Sequence, residues 1–347
     1  MAKKLWVLAV ILAFFAAPAS GASVEDFYKG KTIRIVVGYG PGGATDTNAR
    51  LLQRALSKYI PSNPNIVIEN KPGGGSMLAA NTVYNSESTD GTVIGAFASD
   101  LVLQQAFGTP GVRFDAAKYQ WIGTAFDTSA MCAVRTDSGV ARIEDIIGDR
   151  GKEVVLSSFG KGGLSHIPPV VFNAVFGTKF RVVTGYESGA AQRLAVKNSE
   201  VQGFCTTFQT VTSTEAGMFE GSAACCKVLI IAGSDVEEHP FLRGVPAAEK
   251  LAEKLGKSKD QLAMLRAMNA SNRISLPQAM APGVPKERVD AIRRAYAKAF
   301  ADPEFQAAAA KMSMDLQPKT GEEVTRIVQE LLQTPKLVLA RMKELIQ

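Results

Sequence analysis

The sequence is poor in the residues that build metal centres. It has two histidines, His166 and His239, far apart in the chain, and four cysteines, none of them in a Cys-x-x-Cys pair. Zinc sites use such ligands at close spacing, so the sequence argues against a metal site. No run rich in lysine or arginine and no basic patch interleaved with aromatic residues is present. We therefore expect no nucleic acid as a partner.

Long apolar runs are also scarce, and the one at the start of the chain is short. Lys3 and Lys4 precede the apolar stretch Leu5–Ala17, which has about 13 residues where a membrane span needs about 20. Small residues follow, and Ala19 and Ala22 both suit cleavage by signal peptidase. The first 22 residues are therefore predicted to be a signal peptide, with a membrane anchor as the alternative. No cysteine lies near the cleavage region, which argues against a lipid anchor.

The remaining chain has room for two domains of ordinary size, since about 325 residues are left. The sequence is 46% hydrophobic and 21% charged, which is typical of a globular protein. Removing Lys3 and Lys4 with the signal peptide lowers the formal net charge from +6 to +4. No internal repeat or Pro/Ser-rich linker is present. Two domains would therefore be joined by strands that cross between them.

Apolar runs alternate with helical patterns along most of the chain. The runs predicted to be strands are Ile33–Val37, Ile66–Glu69, Val93–Ala96, Trp121–Ala125, Met131–Val134, Val154–Ser157, Arg181–Val183, Val201–Cys205 and Val228–Ala232. Helices are predicted between them at Asp46–Lys58, Ser76–Asn85, Ile167–Phe176 and Ala190–Lys197. This alternation predicts an α/β fold with mostly parallel, helix-covered sheets and ligands at the carboxyl ends of the strands. Pro285–Ala301 and Gly321–Leu345 are helical without intervening strands and would cap an existing domain.

A glycine-rich turn at residues 38–43 lies between the first predicted strand and the first helix. The first N–H groups of a helix have no partner within the helix, and the helix dipole is positive at that end. A strand, glycine turn and helix in this order therefore predict a site for a negatively charged small molecule. A tight turn without a ligand is the simpler alternative.

The same turn matches G-x-G-x-x-G, and Glu69 lies near the position of a ribose-binding acid, so an NAD(P)-dependent oxidoreductase is a further alternative. Pro41 removes a backbone donor from the middle of such a cradle. Asp46 would repel a pyrophosphate unless it caps the helix, and an exported protein has poor access to soluble NAD. A Walker-type loop is excluded, because the required lysine and Ser/Thr do not follow Gly43.

Five motifs then carry a resemblance that covers nearly the whole mature chain. They are FYKGKTIRIVVGYGPGGATD (27–46), IENKPGGG (68–75), DGTVIG (90–95), SSFGKGGLSH (157–166) and APGVPK (281–286). In this order they resemble the signatures of the substrate-binding receptors of tripartite tricarboxylate transporters, the Bug or TctC-like family.

The resemblance implies a periplasmic solute-binding protein rather than an enzyme. Its fold would be the type II, Venus-flytrap arrangement of two lobes, with residues 23–127 and 240–347 in lobe 1 and residues 128–239 in lobe 2. A monomer would close on a small carboxylate without a cofactor and deliver it to transporter subunits in the inner membrane. An exported ligand-sensing module of the same fold is an alternative. Dicarboxylates, tricarboxylates, aromatic acids and amino acids all stay open as ligands.

In that family two loops hold a carboxylate through backbone N–H groups, hydroxyls and ordered water. By position, the first loop here is Tyr39–Asp46 and the second is Ser157–His166. The predicted ligand-binding residues are Tyr39, Pro41, Gly42, Gly43, Ala44, Thr45, Asp46, Ser99, Thr128, Ser157, Ser158, Gly162, Ser165, His166 and Tyr186. Asp46 would cap the helix or order a water that bridges to the ligand. No nucleophile motif accompanies His166, so no catalytic residue is predicted.

The four cysteines invite disulfides if the chain is exported to an oxidising compartment. Cys132 and Cys205 fall in two predicted strands of the same lobe, which favours a bridge between them. Cys225 and Cys226 are adjacent, and the sequence leaves their pairing open. The alternative is that all four are reduced and buried.

Overall fold

A computed structural model describes residues 23–42, 44–158, 160, 163, 165–186, 189–233, 239–312, 314 and 316–346. The predicted signal peptide and the predicted site residues Gly43 and Gly162 lie outside them. Within the described residues, no helix is both long and apolar enough to cross a membrane.

The strands that the structure describes include all nine predicted runs, some shifted by one or two residues. They are β1 (Thr32–Val37), β2 (Asn65–Asn70), β3 (Val93–Ala96), β4 (Gln120–Thr124), β5 (Ala130–Arg135), β6 (Val154–Ser158), β7 (Phe180–Thr184), β8 (Gly203–Thr207), β9 (Cys226–Ile231), β10 (Gln278–Met280) and β11 (Lys319–Thr320). The last two have three and two residues, too few for a recognisable apolar alternation.

The helices that the structure describes lie before β1, between the strands and after the last strand. They are α1 (Val24–Tyr28), α2 (Ala44–Tyr59), α3 (Met77–Asn85), α4 (Leu101–Ala106), α5 (Ile167–Phe176), α6 (Gly189–Lys197), α7 (Phe208–Thr210), α8 (Ala248–Lys254), α9 (Lys259–Arg273), α10 (Lys286–Phe300), α11 (Pro303–Lys311), α12 (Gly321–Leu332) and α13 (Lys336–Ile346). The segment predicted as helical from Gly321 to Leu345 divides before Pro335, because proline cannot donate within a helix and disfavours helical geometry in the preceding residue.

The strands form two sheets. The first has the order β11-β4-β10-β3-β1-β2, and the second has the order β7-β6-β8-β5-β9. In the first sheet β1 runs parallel to β2 and β3, while β10 runs antiparallel to β3 and β4. In the second sheet β6 runs parallel to β7 and β8, while β5 runs antiparallel to β8 and β9. Of the strands that the structure describes, four of six in the first sheet and four of five in the second run in one direction, while β10, β11 and β5 run the opposite way. The predicted, mostly parallel sheets are therefore confirmed, with antiparallel strands in each.

The antiparallel strands result from how the chain passes between the sheets. It leaves the first sheet after Thr124 and begins β5 at Ala130, which is paired with Thr207 at the carboxyl end of β8. It later begins β10 at Gln278, which is paired with Ala96 at the carboxyl end of β3. A strand that enters at the carboxyl end of its neighbour must run in the opposite direction. Both crossovers therefore connect the carboxyl edges of the two sheets.

The crossovers are also bonded to each other. The Ser275 N–H donates to the Phe126 carbonyl at 3.2 Å, and the Thr128 N–H donates to the Asn272 carbonyl at 3.4 Å. Five residues separate β4 from β5, and such a segment spans at most about 20 Å. The carboxyl edges of the two sheets are therefore held close to one another.

A buried apolar cluster continues from one lobe into the other on the side of the C-terminal helices. It includes Trp121 of β4, Phe172 of α5, Leu265 of α9 and Met342 of α13. Helix α9 contacts α5 as well as α4 and α12, and α13 contacts α5 and α9. The C-terminal helices therefore join both lobes instead of covering one of them. A second cluster fills the space between the first sheet and helices α2 and α10.

Candidate functional site

The turn after β1 is shaped by close approach of the backbone to a neighbouring loop. The Gly38 N–H donates to the Ala96 carbonyl at 3.0 Å, so the turn leaves the sheet beside β3. A Cβ atom on Gly38 would lie 1.8 Å from the Ser76 Oγ. Only glycine avoids this clash, because it has no Cβ. Gly42 adopts a φ of +86°, also suited to glycine. By contrast, a Cβ on Gly40 would meet no described atom within 4 Å.

Asp46 organises this turn from within the first turn of α2. It is the third residue of the helix rather than its cap. Its Oδ2 accepts hydrogen bonds from the Gly42 N–H and from Arg50 Nε, both at 2.8 Å, and its Oδ1 accepts one from Asn70 Nδ2 at 2.8 Å. The hydrogen bond from Arg50, followed by those from Gly42 and Asn70, lowers the pKa of Asp46 from 3.8 to about 2, although burial opposes the shift. Asp46 is thus a buried, fully ionised carboxylate that fixes the turn.

Asn70, at the end of β2, completes the network and was missed by the sequence analysis. Besides its bond to Asp46, its Nδ2 donates to the Tyr39 carbonyl at 2.9 Å, and its Oδ1 accepts from Arg50 Nη2 at 3.1 Å. Tyr39 as a whole residue is 37% exposed, and partial burial of its hydroxyl together with the charge of Asp100 raises its pKa. In the sequence, Asn70 directly follows a predicted strand and lies within the motif IENKPGGG, which is interpreted above only as part of the family resemblance.

The loops after β2 and β3 are joined by Ser76. This residue is fully buried, has a φ of +77° and stands at the N-cap of α3. Its Oγ accepts a hydrogen bond from the Ala98 N–H at 3.2 Å. Ser99 follows directly and is partly exposed at the same edge. The predicted residues Tyr39, Asp46 and Ser99 are thus gathered along the carboxyl edge of the first sheet.

Two serines occupy the corresponding place in the second lobe, between β6 and α5. Ser158 Oγ and Ser165 Oγ are 3.0 Å apart, and both side chains are buried. Ser158 Oγ also donates to the Gly160 carbonyl at 3.3 Å. His166 stands at the N-cap of α5, and its N–H donates to the Gly163 carbonyl at 2.9 Å. Hydroxyls and a helix N-terminus therefore lie together at this edge.

Ser157 and Tyr186 have their polar groups engaged within the second lobe. Ser157 Oγ contacts the Gly203 carbonyl at 3.4 Å inside the sheet. The Tyr186 hydroxyl donates to Glu200 Oε1 at 2.6 Å, and this bond raises the pKa of Tyr186 to about 12. Glu200 precedes β8 and so lies toward the opposite edge of the sheet from Ser158. The structure therefore does not bring the Tyr186 hydroxyl to the predicted site.

Thr128 lies in the first crossover, between the two edges. It is buried, and its Oγ1 accepts a hydrogen bond from the Gln209 N–H at 3.2 Å. At the end of β8, Thr207 Oγ1 similarly accepts from the Thr210 N–H at 3.2 Å. Thr128 thus links the crossover to the carboxyl edge of the second sheet. In the part of the chain that the structure describes, no three His, Cys, Asp or Glu side chains are grouped to hold a metal ion.

Comparison with known sequences finds relatives over parts of the chain, and no family model matches it. A UPF0065 protein of Bordetella pertussis is 26% identical over 207 residues, which cover 58% of this chain and 62% of that protein. A UPF0065 protein of Bordetella bronchiseptica is 26% identical over 175 residues, half of each chain. Protein BugT of B. pertussis is 33% identical over 89 residues, 25% of this chain and 27% of that protein. The chain thus matches less than two thirds of the length of these curated relatives.

Solved structures match almost the whole chain. A TctC solute-binding protein from Polaromonas superposes with a TM-score of 0.68, at 20% identity, over 92% of this chain and 99% of the other. The chain has the fold of the Bug and TctC-like solute-binding proteins. The periplasmic binding protein BugD matches with a TM-score of 0.57 at 18% identity, over 92% of this chain and 98% of that one. A Rhodopseudomonas palustris protein solved with malate matches with a TM-score of 0.53, at 17% identity, over 91% and 99% of the two chains. An R. palustris protein solved with adipate has a TM-score of 0.58, at 18% identity, over 91% and 96%.

These comparisons confirm the predicted two-lobed fold and the resemblance to the Bug and TctC-like receptors. The individual ligand-binding residues stay predictions, since the likeness to solved structures concerns the fold.

Proposed function

We propose that this chain is an exported, periplasmic solute-binding protein that captures a small carboxylate between its lobes. It delivers the ligand to a tripartite tricarboxylate-type secondary transporter. The observation that carries the proposal is the pair of crossovers that join the carboxyl edges of the two sheets. This topology supports a single cleft between the glycine turn before α2 and the serines before α5.

The chemistry on both sides of this cleft suits a carboxylate. The N-terminus of α2 offers backbone N–H groups and the positive end of a helix dipole. Across the cleft, the hydroxyls of Ser158 and Ser165 lie near the N-terminus of α5, and the Ser158 hydroxyl can donate to a ligand when it turns away from the Gly160 carbonyl. The negative charge of Asp46 is neutralised by Arg50, so it does not oppose an anion at the helix. A ligand that bonds both edges would favour the closed arrangement of the lobes, because the open one makes only half of these contacts.

The related structures support small carboxylates as the ligand class. Two proteins of this fold were solved with dicarboxylates, one with malate and one with adipate. Neither identity is high enough to transfer the ligand itself. We therefore propose a carboxylic acid of that size range, without a cofactor and without chemistry on the ligand.

The dinucleotide alternative is disfavoured by the turn itself. The Gly38 N–H is engaged in the sheet, Pro41 has none, and the Gly42 N–H donates to Asp46. Three of the six positions of the G-x-G-x-x-G pattern therefore have no N–H group available to a pyrophosphate. A sensing module of the same fold would bind the same ligand. The neighbouring genes would distinguish the two roles, because a transport role predicts genes for transporter subunits and a sensing role predicts a gene for a signalling partner.

The test is thermal melting of the mature protein against a panel of carboxylic acids, with NAD and NADP included. The panel holds malate, adipate, citrate, benzoate and amino acids. A ligand at 100 times its Kd adds about 2.7 kcal/mol of stability, which raises the Tm by a few degrees in a chain of this size. We expect a shift with at least one carboxylate and none with the nucleotides. A shift with NAD or NADP and with no acid would overturn the proposal.

A further inference from the structure

Cys132 and Cys205 form a disulfide, as predicted, and the two other cysteines form a close pair of thiols. Cys225 Sγ and Cys226 Sγ are 3.4 Å apart, and neither takes part in a disulfide. Cys225 is partly exposed, whereas Cys226 is 4% exposed. Joining the two sulfurs removes two hydrogen atoms, shortens their separation to about 2.05 Å and closes a small ring across one peptide bond.

The pair lies far from the candidate carboxylate site. Cys226 begins β9 and is paired with Arg135 at the end of β5, which is the amino-terminal side of β8. The ligand edge of the second sheet is the opposite one, where β6 and β8 end. The backbone of Cys225 is held on both sides, since its N–H donates to the Met218 carbonyl at 2.9 Å and its carbonyl accepts from the Thr136 N–H at 2.8 Å.

We propose that Cys225 and Cys226 form a redox modification site, which closes to a vicinal disulfide by exchange with a small-molecule or protein disulfide. The site is separate from the cleft, and the proposal does not rest on the identity of the carboxylate. The proposed export of the chain would expose it to such oxidants.

The exchange takes two steps. The Cys225 thiolate attacks one sulfur of the donor disulfide, forms a mixed disulfide and releases the first donor thiolate. The Cys226 thiol then loses its proton and attacks Cys225 Sγ, which breaks the mixed disulfide and releases the second donor thiolate. The two protons from Cys225 and Cys226 pass to the two donor thiolates. The pair is thereby oxidised by two electrons, and the donor disulfide is reduced to two thiols.

The difference in burial between Cys225 and Cys226 determines which thiol reacts first. Cys225 can be reached from solvent and so meets the oxidant first. Cys226 belongs to the apolar cluster that includes Met218 and Phe219, and burial raises the pKa of its thiol. It therefore acts second, on a sulfur that is already 3.4 Å away.

The same difference in access sets this site apart from the Cys132–Cys205 disulfide. Cys132 is fully buried and Cys205 is 2% exposed, so a thiol reductant does not reach that bond in the folded protein. A bond at Cys225 can be reached from solvent. Graded reduction of the oxidised protein should open the vicinal bond first.

The test follows one peptide by mass spectrometry. Cleavage after Glu220 and Lys227 releases Gly221–Lys227, which holds both cysteines of the pair and no other cysteine. The folded protein is incubated with oxidised glutathione, treated with an alkylating agent, unfolded and digested. We expect the peptide from the oxidised protein to lack two hydrogen atoms and to carry no alkyl group. After mild reduction and a second alkylation it should carry two alkyl groups. A peptide that stays doubly alkylated after oxidation, or that is joined to the peptide of Cys132 or Cys205, would overturn the proposal.

Two matched variants test the order of attack. Cys226→Ser leaves the exposed thiol without its second partner, so we expect a stable glutathione adduct on Cys225. Cys225→Ser leaves the buried thiol alone, and we expect at least tenfold slower adduct formation on Cys226. Equal rates in the two variants would contradict the assigned roles. Circular dichroism of both variants checks that each is folded, and the wild-type experiment stands without them.

Discussion

The carboxylate of Asp46 accepts a hydrogen bond from the backbone N–H of Gly42, four residues earlier, at 2.8 Å. This bond closes the glycine turn onto the first turn of α2. An acidic side chain so close to a proposed anion site would repel the ligand if it were free. Here Arg50 neutralises the Asp46 carboxylate, and Asn70 donates a hydrogen bond to its second oxygen. Asp46 therefore shapes the turn and does not repel the ligand.

Asp46→Asn should lower the free energy of unfolding at pH 7 by about 2 kcal/mol. This is the free energy that corresponds to lowering the pKa of the carboxyl group from 3.8 to about 2. The pKa of Asp46 in the folded protein, about 2, lies below its ordinary value of 3.8. Because the folded state then binds fewer protons than the unfolded state, the stabilisation is complete above about pH 4 and is lost as the pH falls through 2. Urea unfolding of both proteins at several pH values measures this difference.

The control is Asp137→Asn. The Asp137 carboxylate pairs with Arg135 and its side chain is 64% exposed, so solvent screens the pair and Asp137→Asn should change the stability far less than Asp46→Asn does. A difference between wild type and Asp46→Asn that stays constant from pH 5 to pH 2 would show that the carboxylate charge is not what stabilises the turn.

Gly38→Ala should damage the turn far more than Gly40→Ala. The new Cβ would lie 1.8 Å from Ser76 Oγ in the first case and would meet no described atom within 4 Å in the second. Overpacking of this kind costs about 1–3 kcal/mol, so the Tm of Gly38→Ala should fall by several degrees. The double variant Gly38→Ala with Ser76→Gly should recover part of the loss. Equal Tm values for the two single variants would contradict the close approach.

Ser158→Ala should weaken carboxylate binding by about tenfold or more, since a hydrogen bond to a charged group contributes about 1.5–3 kcal/mol. Tyr186→Phe serves as the matched comparison. It removes a hydroxyl that donates to Glu200, so the affinity should be unchanged. Calorimetric titration with the acid found in the melting panel measures both variants. A larger loss of affinity in Tyr186→Phe than in Ser158→Ala would contradict the assignment of Ser158, rather than Tyr186, to the ligand site.

The strands and helices that precede the candidate site could be predicted from the sequence, because their patterns are local. β1 and α5 have apolar runs bounded by glycine or proline, and their bounds agree with the prediction within one residue. The antiparallel strands could not be predicted in this way. The direction of β5 and β10 depends on which edge the chain reaches after a crossover, which no local pattern encodes.

The contacts of the site were harder to predict for the same reason. Ser76 and Asn70 act on residues that are distant in sequence, Ala98 and Asp46, and the motif that contains Asn70 does not show which residue its side chain contacts. Tyr186 follows β7 at the expected edge, yet its ring turns back toward Glu200. Position along the chain places a residue at an edge, whereas packing decides where its side chain points.

The Cys132–Cys205 disulfide joins β5 to β8 in the centre of the second sheet, across a sequence separation of 73 residues. A bridge that closes a loop of this length restricts the unfolded chain and stabilises the fold by about 4 kcal/mol. Cys132→Ala with Cys205→Ala should therefore lower the Tm by several degrees, and reductant should have no further effect on that variant. Cys225→Ser with Cys226→Ala leaves the central bridge intact and places no hydroxyl in the buried apolar cluster, so its Tm should fall by less than that of the first double variant. If the two double variants melted at the same temperature, the bridge would contribute nothing beyond the packing of β5 on β8.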